Sequence, residues 1–316
     1  MTVVFGEGPD AGVPLHCGDP AREQRVLATG AGLVDRSNRG VIAIPGADRL
    51  SWLHSLTTQY LLGPVEGTEL LFLSPHGHVE YHAALADVDG TTWLDVEPGT
   101  AGNLLTYLQK MRFMLQVEPC DASREMGLFS LVGPEAEKYL PDGFGPVDAI
   151  EVPGPKFISA DVPKRPSVVY PAAELPCGGF VRRMPYGADF LVPRTSNYLD
   201  RLDVPRAGLL AFEALRVEAR RPRLGFETDH RTLPAEVDWL ASSVHLDKGC
   251  YRGQETVARV HNLGRPPRRL VLVHLDGIDE ELPITGSPVE LDGRAVGFVG
   301  TTVRHHELGQ IALAVL

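Results

Sequence analysis

The segment KGCYRGQE, Lys248–Glu255, brings a thiol, an ammonium, a guanidinium, a phenol, an amide and a carboxylate within eight residues. No periodic core pattern asks for that mixture. A cysteine reacts as its thiolate, and a neighbouring cation favours that form. Lys248 and Arg252 flank Cys250, while Asp247 opposes them. Gly249 and Gly253 permit unusual backbone angles and close approach of a partner. Tyr251, Gln254 and Glu255 can hydrogen-bond a polar ligand or brace the loop. A structural turn with a half-buried cysteine uses the same residues, so both readings stand at this point.

Two further places carry candidate chemistry. In AGLLAFEALRVEARRPRLG, Ala207–Gly225, the pattern predicts a helix that Pro222 ends. Ala211, Leu215 and Glu218 then fall on one face, so a carboxylate joins an apolar stripe. A helix-edge Glu that reaches water or pairs with Arg220 or Arg221 is the plain alternative. In HGHVEYH, alternation places His76, His78, Glu80 and His82 on one face of a strand, with Val79, Tyr81 and Ala83 on the other. The polar face of a half-buried strand explains those imidazoles more simply than a metal site. Other chemistries lack their motifs. There is no G-x-x-x-x-G-K-[ST], no G-x-G-x-x-G after a strand, no H-E-x-x-H and no G-x-S-x-G. The cysteines Cys17, Cys120, Cys177 and Cys250 form no C-x-x-C pair, which argues against a zinc ribbon or a self-contained iron–sulfur ligand set. Cys17, Cys120 and Cys177 are expected reduced and buried.

These groups need a scaffold. The chain has 316 residues, 43% of them hydrophobic, enough for two or three packed units. A net charge of −11 argues against non-specific binding of nucleic acid or an anionic membrane. From Arg216 to Arg269, however, ten Arg and one Lys face seven acids, a local excess that can receive an anionic ligand. No uncharged apolar run reaches the ~18–20 residues of a membrane span, and MTVVFGEGPDAG has no signal-peptide pattern, so a cytoplasmic protein is expected. VIAIPGADRLSWLHSL (Val41–Leu56) and LFSLVGPEAEKYL (Leu128–Leu140) both read as strand, glycine turn and helix, which implies two related halves. A β-meander lies between them, followed by a helix with Leu105, Leu108, Met111 and Phe113 at helical spacing. Residues 141 to 187 are broken by proline throughout and read as irregular connections or an edge strand. After Arg269 the short β-rich segments predict a small barrel.

KGCYRGQE followed by Ala258-Arg259 resembles the signature of the YgfZ family of folate-binding proteins, matching at Lys248, Gly249, Cys250, Tyr251, Gly253, Gln254 and Glu255. More weakly, GLVDRSNRGVIAIPGADRLSWLHSL and LRVEARRPRLGFETDHRTLPAEVDW are similar to the wider group that includes the glycine cleavage T-protein, an aminomethyltransferase. The resemblance implies an α+β fold of two related, ferredoxin-like strand–helix halves within residues 1–258, intertwined and divided near 125, and a C-terminal β-barrel at 259–316. It implies tetrahydrofolate, or a derivative, as cofactor. Glu218 matches the carboxylate of the group's L-R-x-E-A element that contacts the pterin, with Glu236 and Trp239 as neighbours and Tyr251, Gln254 and Arg259 as further binding candidates. The resemblance makes Cys250 the functional thiol, with Lys248 beside it. The family's association implies a role in assembly or repair of iron–sulfur enzymes, with those client or assembly proteins as partners. A lone cysteine cannot hold a cubane cluster, so a partner or small thiol would complete the ligand set. One departure stands out. Tyr81 or His82 occupies the position of the T-protein's catalytic Asp. The alternative, a folate-dependent aminomethyl transferase or demethylase, therefore needs Tyr81, His82 or Glu80 as its acid or base. A scaffold that has lost its ligand is the third possibility.

Overall fold

The computed structural model describes residues 2–141, 144, 148–150, 167–278 and 281–316. Two antiparallel meanders dominate it. The first follows strand Gly40–Pro45 and comprises Gly67–Leu73, Val79–Val88 and Thr91–Val96. The second follows Met126–Val132 and comprises Ala172–Glu174, Phe180–Met184 and Gly187–Pro193. In both, the leading strand returns to pair with the last strand of its meander. The turn after each leading strand is a glycine with φ of 129° at Gly46 and 123° at Gly133. A Cβ would lie 2.0 Å from the Gln116 carbonyl oxygen at the first and 2.3 Å from that of Gly30 at the second. Both positions thus demand glycine for the same two reasons, conformation and close approach. The expected pair of related halves is present in topology.

The copies differ after that turn. Arg49–Leu56 is an α-helix that buries Trp52, Leu53 and Leu56, whereas Ala136–Tyr139 is a single 3₁₀ turn. Pro141 explains the difference, because the residue before a proline is pushed out of the helical region. The halves also interleave. Strand Gly32–Asp35 pairs with Met126–Val132, and Arg206–Ala207 pairs parallel to it, completing the six-stranded second sheet. Within the expected irregular stretch 141–187, residues 142–143, 145–147 and 151–166 lie outside the described residues. Its described end supplies the edge strand Ala172–Glu174 and the paired strand Phe180–Met184.

The last segment forms a four-stranded antiparallel sheet, ordered Leu270–His274, Gly309–Val315, Arg294–His305, Pro288–Leu291. Its outer strands do not pair with each other, so no closed barrel is seen among the described residues. The sheet instead buries one face, with Val303, Ile311 and Leu313, against Trp239, Val244 and Tyr251, and needs no closure to do so. Helix Leu209–Glu218 is capped at Ala219, and Arg220, whose φ is 52°, turns the chain away before Pro222. Its inward residues include Phe212, Glu213 and Arg216, while Glu218 faces out, so the burial stripe is rotated from the one read off the sequence. Phe113 also departs from its expected place. The helix stops at Lys110, and Phe113 is 80% exposed in the loop beyond it. No helix among the described residues is long and apolar enough to cross a membrane.

Candidate functional site

A cavity of about 780 Å³ opens where the two sheets meet helix Leu209–Glu218. Leu27, Val132, Met184, Leu209, Phe212 and Leu215 form apolar wall, and the polar groups converge from both halves. Strand Gly67–Leu73 is buried along its whole length yet carries a glutamate. Glu69 is 1% exposed. Its Oε1 accepts from the Tyr170 hydroxyl at 2.9 Å and from Arg221 at 2.6 Å. Its Oε2 lies 3.0 Å from His82 Nε2, on the neighbouring strand. Burial works against the Glu69 charge, but the Arg221 guanidinium and the His82 contact hold its carboxyl well below the usual range. Burial and the Glu69 charge push the Tyr170 hydroxyl up, so it stays a donor. The His82 ring stacks on Trp239 with centroids 4.7 Å apart and planes 4° from parallel.

A lattice of ion pairs lies in and behind the lining. Arg182 bridges Asp95 at 2.7 Å and Asp189 at 2.9 Å, and Arg39 meets Asp95 at 2.8 Å. Tyr186 donates to Asp189 at 2.9 Å, and the Arg36 guanidinium lies 4.3 Å above the Phe212 ring. Arg223 joins Glu97 and Asp10, while Arg216 joins Glu213 and Glu227. Burial opposes ionisation of Asp95, and its arginines more than offset it, so the carboxyl lies below its ordinary value. Paired and hydrogen-bonded on several sides, these charges tolerate burial that isolated ones would not.

The loop singled out by sequence lies elsewhere. None of Glu218, Glu236, Trp239, Lys248, Cys250, Tyr251, Gln254 or Arg259 lines this cavity. Glu218 is exposed, 3.3 Å from His305 Nε2. Glu236 is 2% exposed and is held by Arg268 at 2.9 Å while its carboxylate caps the Leu233 N–H. Trp239 reaches the cavity only through the His82 ring it backs. Arg259 is exposed on helix Gln254–Leu263. Cys250 is exposed, whereas Lys248 is 4% exposed and turned inward. The Lys248 ammonium donates to the carbonyls of His54, Thr57 and Gln59 and sits 5.0 Å from the Tyr251 ring centroid. It therefore closes the carboxyl end of helix Arg49–Leu56. Burial pushes its pKa down to about 7, and burial with nearby Lys248 and His245 pushes His54 to about 4. Gln254 ties the loop by donating to the Lys248 carbonyl at 3.0 Å. Cys120 is exposed too, and Cys17 and Cys177 are half-buried, so the expectation of three buried cysteines does not hold.

The strand HGHVEYH is also rearranged. His76 and Gly77 form its turn, and a bulge opposite Leu73 lets Glu80 face solvent, where it meets Arg252 at 3.3 Å. His82 alone of the three histidines lines the cavity. Glu69, Tyr170 and Arg221 escaped the sequence reading as site residues. Glu69 had a signal, a carboxylate inside the apolar run TELLFL, of the same kind that drew notice to Glu218. Tyr170 had none.

No protein-family model matches the chain. An Arabidopsis thaliana chloroplastic protein named as a transferase is 29% identical over 275 residues, 85% of this chain. The chain spans 61% of that relative's length. The aminomethyltransferases of Rubrobacter xylanophilus and Symbiobacterium thermophilum are 28% and 27% identical, across 94% and 92% of this chain and 79% of each relative. Among solved structures, the glycine cleavage system aminomethyltransferase T of Bartonella henselae superposes with a TM-score of 0.74 at 19% identity, covering 99% of this chain and 86% of its own. The fold is that of the glycine cleavage T-protein. The chain is related in sequence to the aminomethyltransferases.

Proposed function

We propose that the chain binds tetrahydrofolate in the cavity between its halves and acts as an accessory protein for iron–sulfur enzymes, with Cys250 as its functional thiol. The observation that carries the folate half is the cavity of about 780 Å³ with the buried Glu69–His82–Tyr170–Arg221 group in its wall. Its volume falls within the ~300–1,000 Å³ usual for small-molecule sites. The residues fit the ligand's chemistry. Phe212, Leu215 and Met184 offer apolar wall to a flat pterin, and the ion pairs of Arg39 and Arg223 with Asp95, Glu97 and Asp10 offer polar groups of both signs. Bound tetrahydrofolate supplies amine nitrogens that carry a one-carbon unit. The chain's own residues orient the ring, exclude water and hold protons at Tyr170 and His82, with Glu69 accepting from both.

The accessory role rests on the resemblance of KGCYRGQE and on the placement of its thiol. Cys250 is exposed on a loop whose neighbours are fastened, Lys248 to helix-end carbonyls and Gly253 against Ser74 and Gly77. A fixed loop presenting a thiol suits contact with an iron–sulfur client or assembly protein, in a reducing cytoplasm that keeps it free. The second reading is aminomethyl transfer, favoured by the names of the relatives and by the cavity position of His82.

Thermal unfolding with and without tetrahydrofolate tests the binding. At ~100 times its Kd, a ligand adds about 2.7 kcal/mol of stability. A melting temperature indifferent to both mono- and polyglutamyl forms would remove folate from the reading. For the thiol, Cys250→Ser should fold normally and fail to support iron–sulfur enzyme activity in cells. Support at the wild-type level would take Cys250 out of the mechanism.

A further inference from the structure

We infer that the loop Gly6–Gly12 is a lid on the cavity, latched through Asp10 and hinged at Gly12, which opens to admit the ligand. Only the choice of ligand rests on the folate reading. Asp10 lines the cavity, while Gly8, Pro9, Ala11 and Gly12 around it are exposed, so the loop stands between the cavity and solvent there. The loop is closed on itself. The Asp10 N–H donates to the Glu7 carbonyl at 3.1 Å, that of Ala11 to Gly8 at 3.2 Å, and that of Gly6 to Val13 at 3.0 Å. A Cβ on Gly6 would lie 2.1 Å from the Asp10 carbonyl oxygen, so the turn closes only around glycine. Gly12 has a φ of 86°, and no atom lies within 4 Å of where its Cβ would sit. Glycine supplies backbone freedom at that position, with no packing constraint. Just beyond it Val13 is 1% exposed and packs with Leu27 and Leu209, so the root of the loop is fixed.

Little else holds the loop down. No residue from Thr2 to Gly12 is buried, so apolar burial contributes little to its closure. Among the described residues, its hydrogen bonds to the surrounding sheets and helices run through two side chains. Asn38 Nδ2 donates to the Pro9 carbonyl at 3.1 Å and to Asp10 Oδ1 at 3.2 Å. Arg223 grips the Asp10 carboxylate with both terminal nitrogens, at 2.6 and 3.2 Å. Opening strands neither charge. Arg223 keeps Glu97, whose Oε1 is 2.5 Å from its Nε, and keeps the Phe226 ring 4.2 Å below its guanidinium, while Asp10 swings into water. The cost of an unpaired buried charge is thereby avoided. A compact loop on a glycine hinge, held by one carboxylate, suits the gating motions that open and close sites in μs to ms.

Backbone ¹⁵N relaxation dispersion of the full chain, free of ligand, reads the opening directly, because it reports exchange in μs to ms. The wild type should show dispersion at Glu7, Asp10 and Ala11 and none at Val13, Leu15 and His16. Asp10→Asn should raise the open population about tenfold, and Asn38→Ala should raise it in the same sense. Stopped-flow mixing with (6S)-tetrahydrofolate should then give association and dissociation rate constants for Asp10→Asn that are both raised about fivefold or more, with Kd nearly unchanged. Flat dispersion over Glu7–Gly12 in the wild type and both variants overturns the lid, whatever the ligand. An association rate indifferent to Asp10→Asn, with only dissociation changed, also overturns it, because Asp10 would then be a ligand contact. Dispersion that follows Asp10 in a chain that binds no tetrahydrofolate supports the lid and removes the folate reading alone.

Discussion

Replacing Lys248 with Met should destabilise the fold by about 3 kcal/mol, and by more as pH rises. The ammonium donates to three main-chain carbonyls, with 2.5 Å to Thr57 and 3.1 Å to Gln59. Methionine keeps the apolar stem over Tyr251 but leaves those acceptors without their donor, at roughly 1–3 kcal/mol for each buried one. Removing a buried charge returns part of that cost. The pH dependence isolates the residue. Burial lowers the Lys248 pKa from 10.5 to about 7. Below about 7 both the folded and unfolded chains are protonated there, and its contribution is constant. Between about 7 and 10.5 the unfolded chain holds the proton that the folded one has released, so stability from this site rises with pH. The gap between wild type and variant in urea unfolding should therefore widen by about 2 kcal/mol from pH 7 to pH 9. A gap below about 1 kcal/mol would refute the anchoring role argued from these hydrogen bonds, and a gap flat across that range would refute the lowering of the Lys248 pKa by burial.

Other substitutions probe the remaining features. Glu69→Gln should cost about 3 kcal/mol at neutral pH, because Arg221 loses its buried counter-charge. That difference should be present above about 4.5 and shrink as pH falls below it towards the depressed folded value, measured by denaturant unfolding at each pH. Gly46→Ala should destabilise by about 2–4 kcal/mol through clash with the Gln116 carbonyl, while Gly90→Ala, whose φ of 70° meets open space, should cost only about 1 kcal/mol. Cys250→Ser should leave the unfolding midpoint within about 0.5 kcal/mol of wild type, as expected for an exposed side chain.

The sequence carried the fold further than the site. The paired strand–glycine–helix signals at Gly46 and Gly133 are local and covalently close, so the repeat was legible. The interleaving of Gly32–Asp35 into the second sheet was not, because nothing in a four-residue strand names a partner about a hundred residues away. The barrel expectation failed for a related reason. Strand and turn patterns specify hairpins, but whether a sheet closes depends on what covers its face, here Trp239 and Tyr251. In the site, helical phase misled. Glu218 lies in the last turn, where the helix ends at Ala219, and the inward carboxylate is Glu213. His82 was assigned to a solvent face because the bulge at Glu80 shifts the alternation by one. Lys248 looked like a partner for the thiol beside it, yet two residues in a turn point to different sides, and its ammonium serves a helix end distant in sequence.

Calorimetric titration of tetrahydrofolate into the purified chain, beside an Arg36→Met, Phe212→Ala variant of the cavity wall, tests the central claim most directly. The account predicts micromolar or tighter binding to the wild type with one site per chain, weakened at least tenfold when the wall is altered, and unchanged by Cys250→Ser. The absence of heat with the wild type, or binding that ignores the cavity wall and follows Cys250, would contradict it.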